Sequence, residues 1–206
     1  MKKDAKIVLA TRNKNKVREI KAVLAEAGLD SLTVLSLDDI GYTDEIVEDG
    51  ETFSANAYIK ASVPAKLGYY GLADDSGLEV DYLLGGPGVY SARYAGEPCN
   101  DENNNQKLLE ELEDVPYELR TARYVSVISF VSPDSSSESA FFRGEVNGII
   151  LNEYHGNGGF GYDPLFFVPE LKKTFAEVTM EEKNAISHRG KSMRQFAAWL
   201  KSVIED

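Results

Sequence analysis

The chain has one cysteine, Cys99, and two histidines, His155 and His188, among its 206 residues. A lone cysteine cannot close an internal disulfide, so an extracellular disulfide framework is excluded and the expected location is cytoplasmic. Cys99 and the two histidines also form no zinc-like cluster. No apolar run approaches the roughly 18–20 residues that cross a bilayer. The opening MKKDAKIVLATRNKNK turns polar too soon for a secretory leader, so neither a membrane span nor an export signal is expected. Positive charge is scarce too: 22 Lys and Arg face 34 Asp and Glu, for a net charge of −12. Nucleic-acid binding, which leaves a basic footprint, is therefore not expected. Internal repeats and low-complexity linkers are lacking.

What is present is a globular composition, 43% hydrophobic and 27% charged, in a length, residues 1–206, that fits one ordinary domain or two closely joined lobes. The charge is unevenly placed. Residues 1–21 and 183–206 are basic and the stretch between them is strongly acidic. Two basic islands suit one small polyanion if the fold brings them together, and the acidic middle suits metal ligation. Solvated terminal lysines would give the same pattern.

Lys6–Ala10 is a β-branched run, followed by the polar stretch Thr11–Asn15 and an amphipathic segment with Val17, Ile20, Leu24 and Ala27 at helical spacing, closed by Gly28. Thr52 caps a second helix, in which Pro64 predicts a kink or an early end. Tyr70–Ala73 and Leu78–Val80 read as strands around a polar corner, Asp74-Asp75-Ser76-Gly77. Asn100–Leu112 reads as a helix. Arg120–Val131 and Ser139–Leu151 predict a long-armed hairpin. A strand near Leu165–Val168 and a last helix from about Ser187, carrying Met193, Phe196, Leu200 and Val203, complete an α/β fold with a mixed sheet flanked by helices.

Four segments have the residue types that chemistry needs. Thr11, Asn13 and Lys16 lie between strand and helix, where N–H groups and side chains can converge on phosphate; a simple polar turn is the alternative. The loop lacks the glycines and the G-K-[ST] ending of a P-loop. Adjacent carboxylates Asp74 and Asp75 repel unless a cation or proton offsets them, and a hard divalent ion with oxygen ligands does so; a solvated Asx turn is the alternative. Glu48, in the acidic stretch Asp44–Glu51, is a further candidate ligand. Gly156–Asp163 sets glycines beside Phe160 and Tyr162, a pattern for close approach to a flat ligand or for packing an aromatic into the core. His188 and Arg189 open the last helix, a place for an anion or for the carbonyl of a base, or for a plain cap.

In this order the segments ATRNKNK, EDGETFSANAYIKA, GLADDSGLEVD, GGPGVYSARYAGE, GGFGYDPLFFVPE and EEKNAISHRGKSM closely resemble the inosine triphosphate pyrophosphatase family, from about residue 6 to about residue 200. The resemblance implies an elongated mixed sheet with two lobes around a central cleft, in a homodimer. It also implies Mg²⁺-dependent hydrolysis of non-standard purine nucleoside triphosphates (ITP, dITP, XTP) to monophosphate and pyrophosphate, with Mn²⁺ as a substitute metal. By the same resemblance Asp75 is general base and metal ligand, and Glu48 and Asp74 are metal-site carboxylates. Thr11, Asn13, Lys16 and Lys60 match phosphate-binding positions and Ser76 a substrate contact. Phe160, Gly161, Tyr162, Asp163, Lys183, His188 and Arg189 match the base and sugar pocket. Two other readings stand beside it: a pyrophosphatase for other modified nucleotides, and a nucleotide-binding regulator without turnover.

Overall fold

The computed structural model describes residues 5–29 and 31–204. Lys2, Lys3 and Asp4 of the basic start, and Glu205 and Asp206 at the other end, lie outside them. Among the described residues seven strands form one mixed sheet in the order β2-β1-β3-β4-β5-β6-β7. They are β1 (Ile7–Leu9), β2 (Val34–Ser36), β3 (Tyr70–Val80), β4 (Thr121–Val131), β5 (Ala140–Ile150), β6 (Phe166–Val168) and β7 (Lys173–Thr174). The helices are α1 (Lys14–Glu26), α2 (Phe53–Lys66), α3 (Asp101–Glu111), α4 (Met180–Ile186) and α5 (His188–Val203). Strand β1 runs parallel to both β2 and β3, pairing Val8 with Leu35 and with Gly71. β6 is antiparallel to β5 and to β7. The predicted α/β class is borne out, and the chain divides into two compact units.

The first unit comprises residues up to Asp75, Ser126–Gly144 and the chain from Arg189 onward. Strand alternation sorts its core into two layers. Ile7, Leu9, Leu72, Ile128 and Phe130 pack with Ile20, Val23 and Leu24 of α1 and with Met193, Phe196 and Leu200 of α5. Val8, Ala73 and Val131 point the other way and meet Ala61 and Ala65 of α2. Each fully buried leucine contributes roughly 1.5–3 kcal/mol, so the two layers fix which helix covers which face. Gly71 allows the α2 side to close up: a Cβ there would lie 1.8 Å from the carbonyl oxygen of Ala61.

The second unit comprises Ser76–Val125 and Glu145–His188. Its core joins Leu78 and Val80 of β3, Leu108 and Leu112 on the α3 side, Tyr124 of β4, Val146 and Ile150 of β5, and Phe166 and Phe175.

Two expectations are corrected. The polar corner at Asp74–Gly77 does not exist, because β3 runs unbroken from Tyr70 to Val80. The two carboxylates find cations on opposite faces of the strand, so no turn is needed to carry them into water. Pro64 does not end α2 early. It stands in the last turn of a helix that reaches Lys66, where its carbonyl accepts from the N–H groups of Leu67 and Tyr69. α4 went unread, although its capping box, Thr179 with Glu182, is written in the sequence.

Candidate active site

The first unit gathers Thr11, Asn13 and Lys16 with Glu48, Lys60, Asp74 and Asp75. The Asn13 side chain caps α1, accepting from the N–H groups of Asn15 at 3.0 Å and Lys16 at 3.2 Å. Thr11 Oγ1 accepts from the Asn13 N–H. Arg12 latches this loop to the next, donating to the carbonyls of Tyr42 and Asp44. No acidic residue occupies the first turn of α1, so the positive end of the helix dipole lies beside Lys14.

Alternation along β3 separates the paired aspartates. Asp75 shares the face of Ala73, against α2. Its Oδ1 accepts from Lys60 Nζ at 2.6 Å, and the same nitrogen donates to Glu48 Oε2 at 2.7 Å. Burial pushes the Asp75 carboxyl up against the pull of Lys60 and Lys16. Burial alone would lower Lys60, but Asp75 and Glu48 outweigh it and hold its ammonium raised and charged.

Asp74 shares the opposite face, with Leu72, and is 0% exposed. Its Oδ1 accepts from Ser126 Oγ at 2.6 Å. Its Oδ2 meets Lys16 Nζ at 2.9 Å and both Nε and Nη2 of Arg189 at 3.3 Å. Arg189 Nη1 reaches Glu19 of α1. Desolvation would raise Asp74, but Arg189 and Lys16 hold it well below the usual carboxylate range. Lys16 is lowered, chiefly by burial, with Asp74 opposing. Asp74 therefore does not join Glu48 and Asp75. Arg189, assigned by resemblance to the base pocket, sits in this buried cluster with Asp74 and Glu19.

The second unit holds a separate set. Asp163 Oδ2 accepts from Lys183 Nζ at 2.7 Å and from the Phe160 N–H at 2.9 Å. The Lys183 ammonium lies 4.6 Å from the Phe160 ring centroid, within cation–π range. Gly159 is required here, because it has φ +73° and a Cβ would fall 2.3 Å from Asp163 Oδ2. Gly161 is held from both sides, donating to Asp101 and accepting from Asn105. Tyr162 is core, its hydroxyl donating to the Ser91 carbonyl. The His188 ring stacks on Tyr124 at 4.8 Å. Ser76 follows Asp75 in β3 and is half-buried.

Glu19, Ser126, Ser192, Asp101 and Asn105 escaped the sequence reading. Only Glu19 left a trace there, three residues after Lys16 and hence on the same side of α1.

The arrangement suits a hard divalent cation. One ammonium holds two carboxylates together, while no group of three His, Cys, Asp or Glu side chains among the described residues is placed to hold an ion. Mg²⁺ is characteristically bound by one or two carboxylates and completes its shell with water and substrate phosphates.

Residues 7–199 match a profile described as the Ham1 family. A Geobacter sulfurreducens protein named dITP/XTP pyrophosphatase is 55% identical over 91% of this chain and 92% of its own. A protein of the same name from Clostridium perfringens is 48% identical over 97% and 99%. Among solved structures, the Staphylococcus aureus Ham1 protein superposes with TM-score 0.85 at 40% identity over 96% of this chain and 98% of its own. A HAM1 protein from Coxiella burnetii gives 0.87 at 38% over 97% and 100%.

Proposed function

Because the chain belongs to the Ham1 family, we propose that it is a nucleoside-triphosphate pyrophosphatase that hydrolyses dITP, XTP and ITP to the monophosphate and pyrophosphate. The observation that carries the chemistry is the Lys60 ammonium holding Asp75 and Glu48 at once. In this reading Asp75 accepts a proton from the water that attacks the α-phosphorus. The α–β phosphoanhydride bond breaks and its electron pair leaves with pyrophosphate. Burial raises the proton affinity of Asp75, which suits a base. Thr11, Asn13, Lys16 and Lys60 hold the phosphates, and Ser76 contacts the substrate. Phe160 to Asp163, Lys183 and His188 hold base and sugar, with Tyr162 shaping the wall from the core.

Asp75 and Glu48 would hold Mg²⁺, or Mn²⁺ in its place. When bound, the ion supplies charge neutralisation on the phosphates of the leaving group. The resemblance further assigns a homodimer, and the unpaired Cys99 supports a cytoplasmic location. No helix among the described residues is long and apolar enough to cross a membrane.

The test is product analysis over a panel of purine, pyrimidine and modified nucleoside triphosphates, with Mg²⁺ and after exhaustive chelation. Monophosphate and pyrophosphate from dITP and XTP, lost on chelation, are expected. Release of orthophosphate, or full activity without a divalent ion, overturns the reading.

A further inference from the structure

The Asp74 cluster has a part that the reaction as described leaves unused: two serine hydroxyls at zero exposure. Ser126 of β4 and Ser192 of α5 are both 0% exposed, and their Oγ atoms lie 2.9 Å apart. An ionised carboxylate only accepts, so the single hydroxyl proton of Ser126 is committed to Asp74 Oδ1 at 2.6 Å. Ser192 must then donate to Ser126 or to the Arg189 carbonyl, 3.1 Å away. Both oxygens of Asp74 are thus occupied, one by Ser126 and the other by Lys16 and Arg189. At zero exposure this carboxylate is turned to protein donors on both oxygens and not to solvent.

We propose that Ser126 is a positioning residue. It fixes the rotation of the Asp74 carboxylate, so that Oδ2 holds the Lys16 ammonium where the triphosphate arrives, with Ser192 steadying Ser126 from α5. The inference rests on the pyrophosphatase reading for its substrate and replaces metal ligation by Asp74 with a structural tether. The geometry explains why the tether is needed. Oδ2 is shared by Lys16 and three-pronged Arg189, whose Nη1 is drawn to Glu19. Loss of the bond at Oδ1 lets the carboxylate turn toward Arg189 and away from Lys16.

Ser129 supplies a matched control. It lies on the same strand, is also 0% exposed, and its Oγ has no hydrogen-bond partner. Three residues along a strand, it falls on the opposite face from Ser126. Ser126→Ala is expected to raise KM for dITP and the inhibition constant of inorganic pyrophosphate together, by about tenfold or more, the size of a lost hydrogen bond to a charged group. kcat should change far less. Ser129→Ala should leave both constants alone, and Ser126→Thr, which keeps the hydroxyl, should restore them. Ser192→Ala keeps the Ser126–Asp74 bond and should give a smaller shift in the same direction; it also serves if Ser126→Ala does not fold. Equal constants in the Ser126→Ala and Ser129→Ala proteins overturn the proposal, as does a lowered melting temperature with KM and pyrophosphate inhibition unchanged. Calorimetric binding of pyrophosphate separates this failure from failure of the parent reading. If the wild-type chain binds pyrophosphate without turning over dITP, weaker binding by Ser126→Ala still supports the tether, and equal binding refutes it.

Discussion

Lys60 Nζ stands 2.6 Å from Asp75 Oδ1, joining the middle of α2 to the middle of β3 across a buried face. That contact fixes the carboxylate while burial raises its proton affinity, and it makes the role of Asp75 separable from its packing. Asp75→Asn keeps the volume and an oxygen that Lys60 can still bond, but loses the base and one negative charge. Turnover should fall by about 10²–10⁴-fold, the usual contribution of a general base. The circular dichroism spectrum and pyrophosphate binding should persist. Near-wild-type pyrophosphate release from a folded Asp75→Asn protein would remove Asp75 from the reaction.

Removing the other partner tests the cation. Lys60→Met leaves two carboxylates facing each other without their shared ammonium. Breaking a buried ion pair costs roughly 3–5 kcal/mol, and here the low end applies because Glu48 is partly exposed. The melting temperature should drop accordingly. Mg²⁺ should then raise it more in Lys60→Met than in the wild-type chain, since the ion takes the place of the lost charge. An identical Mg²⁺ response in both proteins would argue against a metal held by Asp75 and Glu48.

The approach of α2 to β3 depends on one missing side chain. A methyl group on Gly71 would lie 1.8 Å from the Ala61 carbonyl oxygen and 2.8 Å from its carbon. Backbone cannot yield as a flexible side chain does, so Gly71→Ala should destabilise by about 3 kcal/mol or more through overpacking. Because Ala61 adjoins Lys60, the displaced helix should also loosen the Lys60–Asp75 contact. Loss of stability and of kcat together, measured by thermal melts and pyrophosphate release, is expected. A stable and fully active Gly71→Ala protein would mean that α2 is not seated this closely.

Much of the frame was legible because its signals are local. The run Lys6–Ala10, the spacing of Val17, Ile20 and Leu24 and the closing Gly28 predict β1 and α1. Met193, Phe196 and Leu200 predict the inner side of α5, and all three lie in one core layer. The hairpin arms appear as β4 and β5, neighbours in the sheet. What was not legible depends on partners far apart in the chain. Asp-Asp-Ser-Gly has the composition of a turn, yet it lies within a strand, because Lys60 waits on one face and Arg189, 115 residues further on, waits on the other. The same distance hid the destination of Arg189. Its neighbour His188 stacks on Tyr124, whereas its own guanidinium goes to Asp74 and Glu19. No spacing rule tells adjacent residues at a helix start apart in this way. Ser126 and Ser192 are ordinary serines until the fold sets their oxygens 2.9 Å apart.

In the proposed function, base selectivity depends on which groups face the purine. Inosine and xanthosine carry a carbonyl oxygen at C6, and adenine carries an amino group there. In the proposed function the donor is assigned to Lys183, whose ammonium bonds Asp163 Oδ2 at 2.7 Å, while the Arg189 guanidinium is engaged by Asp74 and Glu19. Lys183 also lies against the Phe160 ring, beside which a base would stack. An ammonium has no acceptor to offer, so adenine would set donor against donor, whereas a 6-carbonyl would be satisfied. A buried site built for one hydrogen-bonding group can reject an analogue lacking it by roughly 10⁴–10⁵. The kcat/KM for ATP should therefore fall below that for ITP by a margin of this order. Lys183→Met should collapse the difference by slowing ITP rather than by quickening ATP, with the charge of Asp163 then left unbalanced. Asp163→Asn distinguishes positioning from donation: it should keep the preference for ITP but weaken it, because the ammonium remains and only its anchor has changed. Comparable kcat/KM values for ATP and ITP in the wild-type chain would refute this account of selectivity, whatever the outcome at Asp75.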